Sequence, residues 1–221
     1  MTISWLIPCY NANPNWLRRC VQSIQAQTYT DWNAILVNDG STDGRTWEQL
    51  VNYSELDRRF QCHHITHSGV ASALNFGLEF CGDVVCRVDC DDWSEPNRLE
   101  IQLQYMKQNG LDLVGSSMFF HTTSHAIVPQ DPPKGNLRDL LSKHIMPIWH
   151  PTWVFKKSAI KYELDYPHSE DFATLCRVCD KIKAGNCPNF LVHKNQHANR
   201  VSSIYRTEQR ESAERAIKEL L

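Results

Sequence analysis

The sequence predicts an α/β fold with a mostly parallel central sheet flanked by helices. Strand and helix signals alternate from the first residues to about residue 115, the rhythm of parallel strands joined by helical crossovers. Three polar motifs follow predicted strands, at Pro8–Asn11, Asn38–Asp43 and Asp89–Asp92. In such sheets the ligand lies beyond the carboxyl ends of the strands, and solvated turns would have no reason to collect on one edge. The composition, 42% hydrophobic and 22% charged over 221 residues, fits an ordinary globular chain of one large domain.

The elements follow in order. Ile3 to Ile7 is an apolar run stopped by Pro8. Asn13-Pro14 opens a helix, with a capping side chain followed by proline at the first helical position. Leu17, Cys20, Val21 and Ile24 then recur at helical spacing. Ala34 to Val37 is a second strand, and a helix follows around Arg45 to Asp57. Gln61 to Thr66 is a weaker strand. Val70, Ala73, Leu74, Gly77 and Leu78 mark the next helix, and Asp83 to Val88 the fourth strand. Leu99, Leu103 and Met106 lie on a helix beginning near Pro96, and Asp112 to Val114 is a fifth short strand. Beyond it the pattern loosens. His121 to Pro133 reads as a hairpin or loop, Trp153 to Phe155 as a strand, Ser169 onward as a helix, Phe190 to Val192 as a late strand and Glu208 to Leu221 as a charged terminal helix. No repeat or low-complexity linker divides the chain. The expectation is one unit, with residues 1–115 as a nucleotide-binding half and 116–221 as an acceptor-binding half; a module of a larger polypeptide fits equally.

A net charge of −2 provides no bulk field for nucleic acid or an anionic membrane. No apolar run approaches the about 20 residues of a membrane-spanning helix, and no basic segment with a long apolar stretch opens the chain. Nine cysteines, mostly inside apolar periodic segments, suit reduced thiols and a cytoplasmic protein. Cys176-x-x-Cys179 has no second such pair, which argues against zinc.

Val88-Asp89-Cys90-Asp91-Asp92-Trp93 carries the most chemistry. Three acids within four residues sit badly in a core without cations, and carboxylate oxygens suit hard ions such as Mg²⁺ and Mn²⁺. Strand alternation would put Asp89 and Asp91 on one side and Cys90 on the other. Asp39, at the end of a buried strand, can accept the imide N–H of uracil; on spacing alone, capping of the next turn is the stronger reading. The helix over Gly69–Gly77 has small residues on one side, which suits close approach of a ligand or tight packing on the sheet. Ser169-Glu170-Asp171 is a good helix start, and one of its acids can act as a general base. His197, in a polar loop, is either a metal ligand or a solvated histidine.

Together these stretches resemble the inverting GT-A glycosyltransferases of family 2. The resemblance runs in order through Ile7-Pro8-Cys9-Tyr10-Asn11, Gln27-Thr28-Tyr29-Thr30-Asp31-Trp32, Val37 to Asp43, Gly69 to Gly77 including Asn75, Val88 to Glu100, His150-Pro151-Thr152, Ser169 to Phe172 and His197 to Ser202. It implies a metal-dependent enzyme that moves a hexose or deoxyhexose from a UDP-sugar to a glycan or other hydroxyl acceptor. Pro8, Tyr10, Asn11, Asp39, Asn75 and Asp89 would bind the nucleotide-sugar, Asp39 through the base and Asp89 through the ribose or sugar. Asp91 and His197 would hold Mn²⁺ or Mg²⁺, Asp92 would supply supporting hydrogen bonds, and Asp171 would deprotonate the acceptor. The chain departs from the family pattern at Asn38, which replaces an acid, and at Ala173 to Cys176. A nucleotidyltransferase lacks its Gly- and basic-rich loop after the first strand here, and a non-catalytic binding module would not need every acid.

Overall fold

The structure, a computed structural model, describes residues 1–124, 126–197 and 204–221. Of the His197–Ser202 segment, only His197 lies among the described residues. Nine strands form one sheet: β1 (Ile3–Cys9), β2 (Asn33–Asp39), β3 (Phe60–Ile65), β4 (Val84–Arg87), β5 (Trp93–Ser94), β6 (Leu113–His121), β7 (Ile127–Gln130), β8 (Val154–Lys156) and β9 (Ala184–Asn195). Their order is β3-β2-β1-β4-β8-β6-β9-β5, with β7 paired to β6. β1, β2, β3 and β4 are mutually parallel, and β6 and β9 share their direction; β5, β7 and β8 run the other way. The mostly parallel sheet is therefore present, but β8 stands between β4 and β6. The simple succession expected up to residue 115 misses that insertion, because β8 arrives from about forty residues later in the chain.

The helices are α1 (Pro14–Gln25), α2 (Arg45–Leu56), α3 (Val70–Phe80), α4 (Arg98–Asn109), α5 (Leu137–Ser142), α6 (Glu170–Val178) and α7 (Arg206–Leu220). Two apolar clusters cover the sheet. One joins β1 and β2 side chains to α1 and α4 through Leu17, Val21, Ile24 and Leu99; the other joins Leu6, Ile35 and Val37 to α3 and α6 through Leu74, Phe172 and Leu175. Gly77 lets α3 sit against β1 and β2, since a Cβ there would lie 2.4 Å from Leu6 Cδ1 and 2.9 Å from Val37 Cγ2. Tight packing, not ligand approach, is thus what this glycine does.

Several boundaries differ from the sequence reading. β1 continues through Pro8 to Cys9 because the β4 ladder has ended at Leu6, leaving Pro8 paired to β2 alone, a place where a strand tolerates proline. α4 starts at Arg98, two residues after Pro96. The hairpin expected over His121–Pro133 is the β6–β7 pair. β6 and β9 are far longer than their apolar cores because they pair with each other, with a bulge near Ser117. β5 and α5 carry too little periodicity to be seen.

Candidate active site

The strand ends Pro8–Asn11, Asn38–Asp43 and Asp89–Asp92 meet at one edge because β2, β1 and β4 are adjacent and parallel. The first two loops are stitched together. Asn11, with φ of 45°, accepts from the Thr42 N–H at 2.9 Å, and its own N–H donates to Ser41 Oγ at 2.9 Å. Asn38 is buried; its amide meets His64 Nδ1 at 2.9 Å and accepts from the Ser41 N–H at 3.1 Å. Asn38 and Asp43, rather than Asp39, hold the next turn. Asp39 reaches across to the start of α3 and accepts from the Ser68 and Gly69 N–H groups at 2.8 and 3.0 Å. His67 Nδ1 lies 2.9 Å from the same carboxylate, and its ring stacks on exposed Tyr10 with centroids 4.1 Å apart. Asp39 is 3% exposed, so a ligand meets it only at its rim. Asn75 is placed otherwise than expected: its amide donates to the Tyr162 carbonyl and accepts from the Tyr162 N–H, at 2.8 and 2.9 Å. It braces α3 against the segment after β8, with both polar ends occupied.

The acidic cluster lies past the end of β4, which stops at Arg87. It is a turn, with the Asp92 N–H donating to the Asp89 carbonyl at 3.2 Å. The strand alternation expected for Asp89 and Asp91 therefore does not apply. The turn brings carboxylate oxygens of Asp89, Asp91 and Asp92 within 4.8 Å of one another. Arg87, 3% exposed, forks onto Asp89, with Nη1 2.9 Å from Oδ2. Lys194 Nζ lies 3.8 Å from both Asp89 and Asp92. His197 Nε2 is 2.7 Å from Asp91 Oδ2, so the structure brings together these two residues, which lie far apart in sequence. Asp92 accepts from the Asn195 N–H at 2.9 Å, and burial pushes its carboxyl up to about 8. Its Oδ2 is buried with no hydrogen-bond partner among the described residues. Such an orphan oxygen, within a set of hard oxygen donors, fits Mg²⁺ or Mn²⁺.

The turn has a foundation. Arg98, fully buried, donates to the Arg87 carbonyl at 2.8 Å, Ser94 Oγ at 3.1 Å and Gln102 Oε1 at 2.9 Å. Gln102 then donates to the Thr152 and Val114 carbonyls at 2.8 and 3.2 Å. Gln27 donates to the Glu95 carbonyl and accepts from the Leu99 N–H, while the Thr28 N–H donates to the Pro96 carbonyl. The Gln27-Thr28 and Pro96 to Glu100 motifs are thus two halves of one brace beneath the acids.

Asp171 enters from the other side, in the first turn of α6. Burial raises its carboxyl, while Arg87 and Lys194 pull the other way. Those cations pair with Asp89, so Asp171 and the acidic turn lie within electrostatic reach of the same two positive charges. Burial, then the Asp171 charge, pushes Glu170 up to about 8. His150 Nδ1 is 3.9 Å from Asp171, its Nε2 is 3.0 Å from the Tyr162 hydroxyl, and burial keeps the ring neutral. A cleft of about 290 Å³ opens at Asp171; Met146, Phe172 and Ala213 line it, with His144, Arg206 and Arg210 as its basic groups.

Sequence reasoning gives no site role to Arg87, Lys194, His150 or Tyr162. Arg87 carried a signal, a charge inside the apolar run Val84–Val88 two residues before an acid, and His150 opened the His150-Pro151-Thr152 motif. Lys194 and Tyr162 carried none.

The family model described as glycosyl transferase family 2 matches residues 4–163. The O-antigen biosynthesis glycosyltransferase WbnJ of Escherichia coli is 30% identical over 185 residues, covering 80% of this chain and 73% of that protein. An uncharacterized glycosyltransferase of Haemophilus influenzae is 29% identical, covering 98% of this chain and 72% of that one. Among solved structures, S. aureus TarS 1–349 in complex with UDP-GlcNAc superposes with a TM-score of 0.75 at 17% identity, over 92% of this chain and 61% of that chain. The same protein in complex with UDP gives 0.73 over 98% and 64%. The chain thus spans somewhat less than two thirds of the solved proteins it resembles, and their likeness is one of fold.

Proposed function

The chain belongs to glycosyl transferase family 2, and on that premise we propose that it is an inverting, metal-dependent enzyme that transfers a hexose or deoxyhexose from a UDP-sugar to a hydroxyl acceptor. One observation carries the reading: the carboxylates of Asp89, Asp91 and Asp92 converge with His197 at the edge where parallel strand ends meet, and Asp171 lies within electrostatic reach of the Arg87 and Lys194 that pair with them.

Donor binding falls to the strand ends. Tyr10 and His67 offer an aromatic platform for the base, and the rim of Asp39 accepts its imide N–H. Asp89, oriented by Arg87, meets the ribose or sugar. Asp91, Asp92 and His197 would hold Mn²⁺ or Mg²⁺, which supplies charge neutralisation for the departing diphosphate. Arg87 and Lys194 add positive charge on the same side. Asp171, deprotonated, takes the proton of the acceptor hydroxyl. The hydroxyl oxygen bonds to the anomeric carbon as the bond to the UDP oxygen breaks, and the electron pair leaves with UDP. A single displacement inverts the anomeric configuration. His150, held neutral, keeps Asp171 from being locked in an ion pair. Residues 1–115 provide most of the donor site and 116–221 the acceptor side, with Lys194 and His197 reaching back to the acidic turn. The nine free thiols suit a reducing cytoplasm, and no helix among the described residues is long and apolar enough to cross a membrane.

A panel of UDP-sugars assayed for UDP release with Mn²⁺, with and without EDTA, tests the reading. Turnover is expected to need the metal, and Asp91→Ala is expected to lose both turnover and Mn²⁺ binding read by paramagnetic resonance. EDTA-resistant turnover refutes the metal requirement.

A further inference from the structure

The cleft beside Asp171 has a charge pattern that the transfer reaction does not by itself require. Arg206 and Arg210 stand one helical turn apart on α7, on one face of that helix, and both line the cleft with His144. Arg210 donates through Nε to Glu214 at 2.9 Å, with its side chain 75% exposed. Arg206 makes no ion pair with any other described residue. Ser169, a hydroxyl suited to a sugar, is already engaged, donating to the Gln209 carbonyl at 2.7 Å. Arg206, Gln209, Arg210 and Ala213 form an α7 wall whose charge is two guanidiniums, and Met146 and Phe172 add apolar lining. Gln209 and Asp171 would serve a neutral saccharide, but the paired guanidiniums suit an anion better. An anion entering beside Glu170 and Asp171 needs cations to offset repulsion, which this wall has.

We propose that the acceptor carries a negatively charged group, a phosphate ester or a carboxylate, seated on Arg206 and Arg210 so that a neighbouring hydroxyl faces Asp171. This rests on Asp171 being the base. The guanidinium fork matches both anions in two-point contact, and the cleft, at about 290 Å³, is at the small end of ligand sites, ~300 Å³ and upward. It is large enough for the anionic unit and its hydroxyl.

The test needs neither donor nor turnover, so it fails independently of the assignment of Asp171, which is judged by transfer in Asp171→Asn. The chain has four methionines. Met146 lines the cleft, while Met106 and Met118 are buried and serve as references in protein carrying ¹³C-methyl methionine. Glycerol 1-phosphate and glucuronate are titrated against their neutral partners, glycerol and glucose. The Met146 methyl is expected to shift saturably with at least one anion, at least ~10-fold more tightly than with its neutral partner, the worth of a charge-assisted contact. Which anion binds distinguishes phosphate from carboxylate. Arg206→Gln and Arg210→Gln are each expected to weaken binding several-fold with the Met106 and Met118 signals in place. Absence of a saturable shift with either anion, equal binding of the neutral partner, or undiminished binding in both variants overturns the proposal. So does displacement of the anion by UDP, which would assign the arginines to the donor.

Discussion

The proposed donor and acceptor sides of this molecule are built differently. On the proposed donor side, each polar loop is held by hydrogen bonds to a neighbouring segment: Asn11 to Thr42, Asp39 to Ser68 and Gly69, and Gln27 and the buried Arg98 to the segments flanking the acidic turn. Parallel strand ends and tight crossovers bring these loops together locally. On the acceptor side, Asp171 sits on a helix end over an open cleft, and α6 is placed by contact with α7, which follows it by some thirty residues. The proposed donor loops are therefore tied into the fold by one another, whereas the proposed acceptor side places Asp171 over an open cleft.

The strongest test of that contrast is Asp171→Asn. It is expected to lower transfer roughly 10²–10⁴-fold, the worth of a positioned general base, while UDP binding and thermal stability hold, because burial already disfavours the charge at this position. A coincident loss of stability breaks the comparison. Below the raised pKa of Asp171 the base is protonated, so transfer by the wild-type protein is expected to fall as pH drops through that value.

A smaller effect of the opposite kind is expected on the donor side. Gln102→Leu strips the Thr152 and Val114 carbonyls and Arg98 Nε of their partner. It should cost on the order of 3 kcal/mol by denaturant unfolding, since each unsatisfied buried group costs ~1–3 kcal/mol. Gly77→Ala forces a methyl against Leu6 and is expected to cost about 1–3 kcal/mol.

Glu170→Gln sharpens the acceptor side. With its carboxyl pushed up to about 8 from an ordinary 4.5, Glu170 leaves stability intact below the ordinary value and erodes it as pH rises through about 8. The melting temperature of the variant relative to wild type is expected to climb from pH 5 to pH 8.5. The smallest effect belongs to Thr28→Ala, which removes an exposed hydrogen bond to Glu100 of 2.8 Å and should cost no more than ~1 kcal/mol.

Much of the donor side was legible in the sequence. Asn13-Pro14 marks the start of α1, and its side chain does cap it, accepting from the Asn15 N–H at 3.0 Å. The acids at Asp39, Asp89 and Asp91 stand out because they end apolar strands. Asn75 and Gly77 were legible as a motif but not in role, since tight packing and ligand approach favour the same small residues. Lys194 was silent and His150 was legible as a motif but not in role, because a lysine or histidine has no local pattern that says what lies across from it.

By itself, the sequence determined the alternation of strands and helices, the convergence of the first polar motifs on one edge, and the family. These follow from periodicity and adjacent parallel pairing, which are local properties. Only the tertiary structure decided that β8 stands between β4 and β6, that Lys194 and His197 return to the acidic turn, and that α7 lines the cleft with arginines. Those arrangements join residues up to about a hundred positions apart, and they are set by which surfaces pack together rather than by any pattern along the chain.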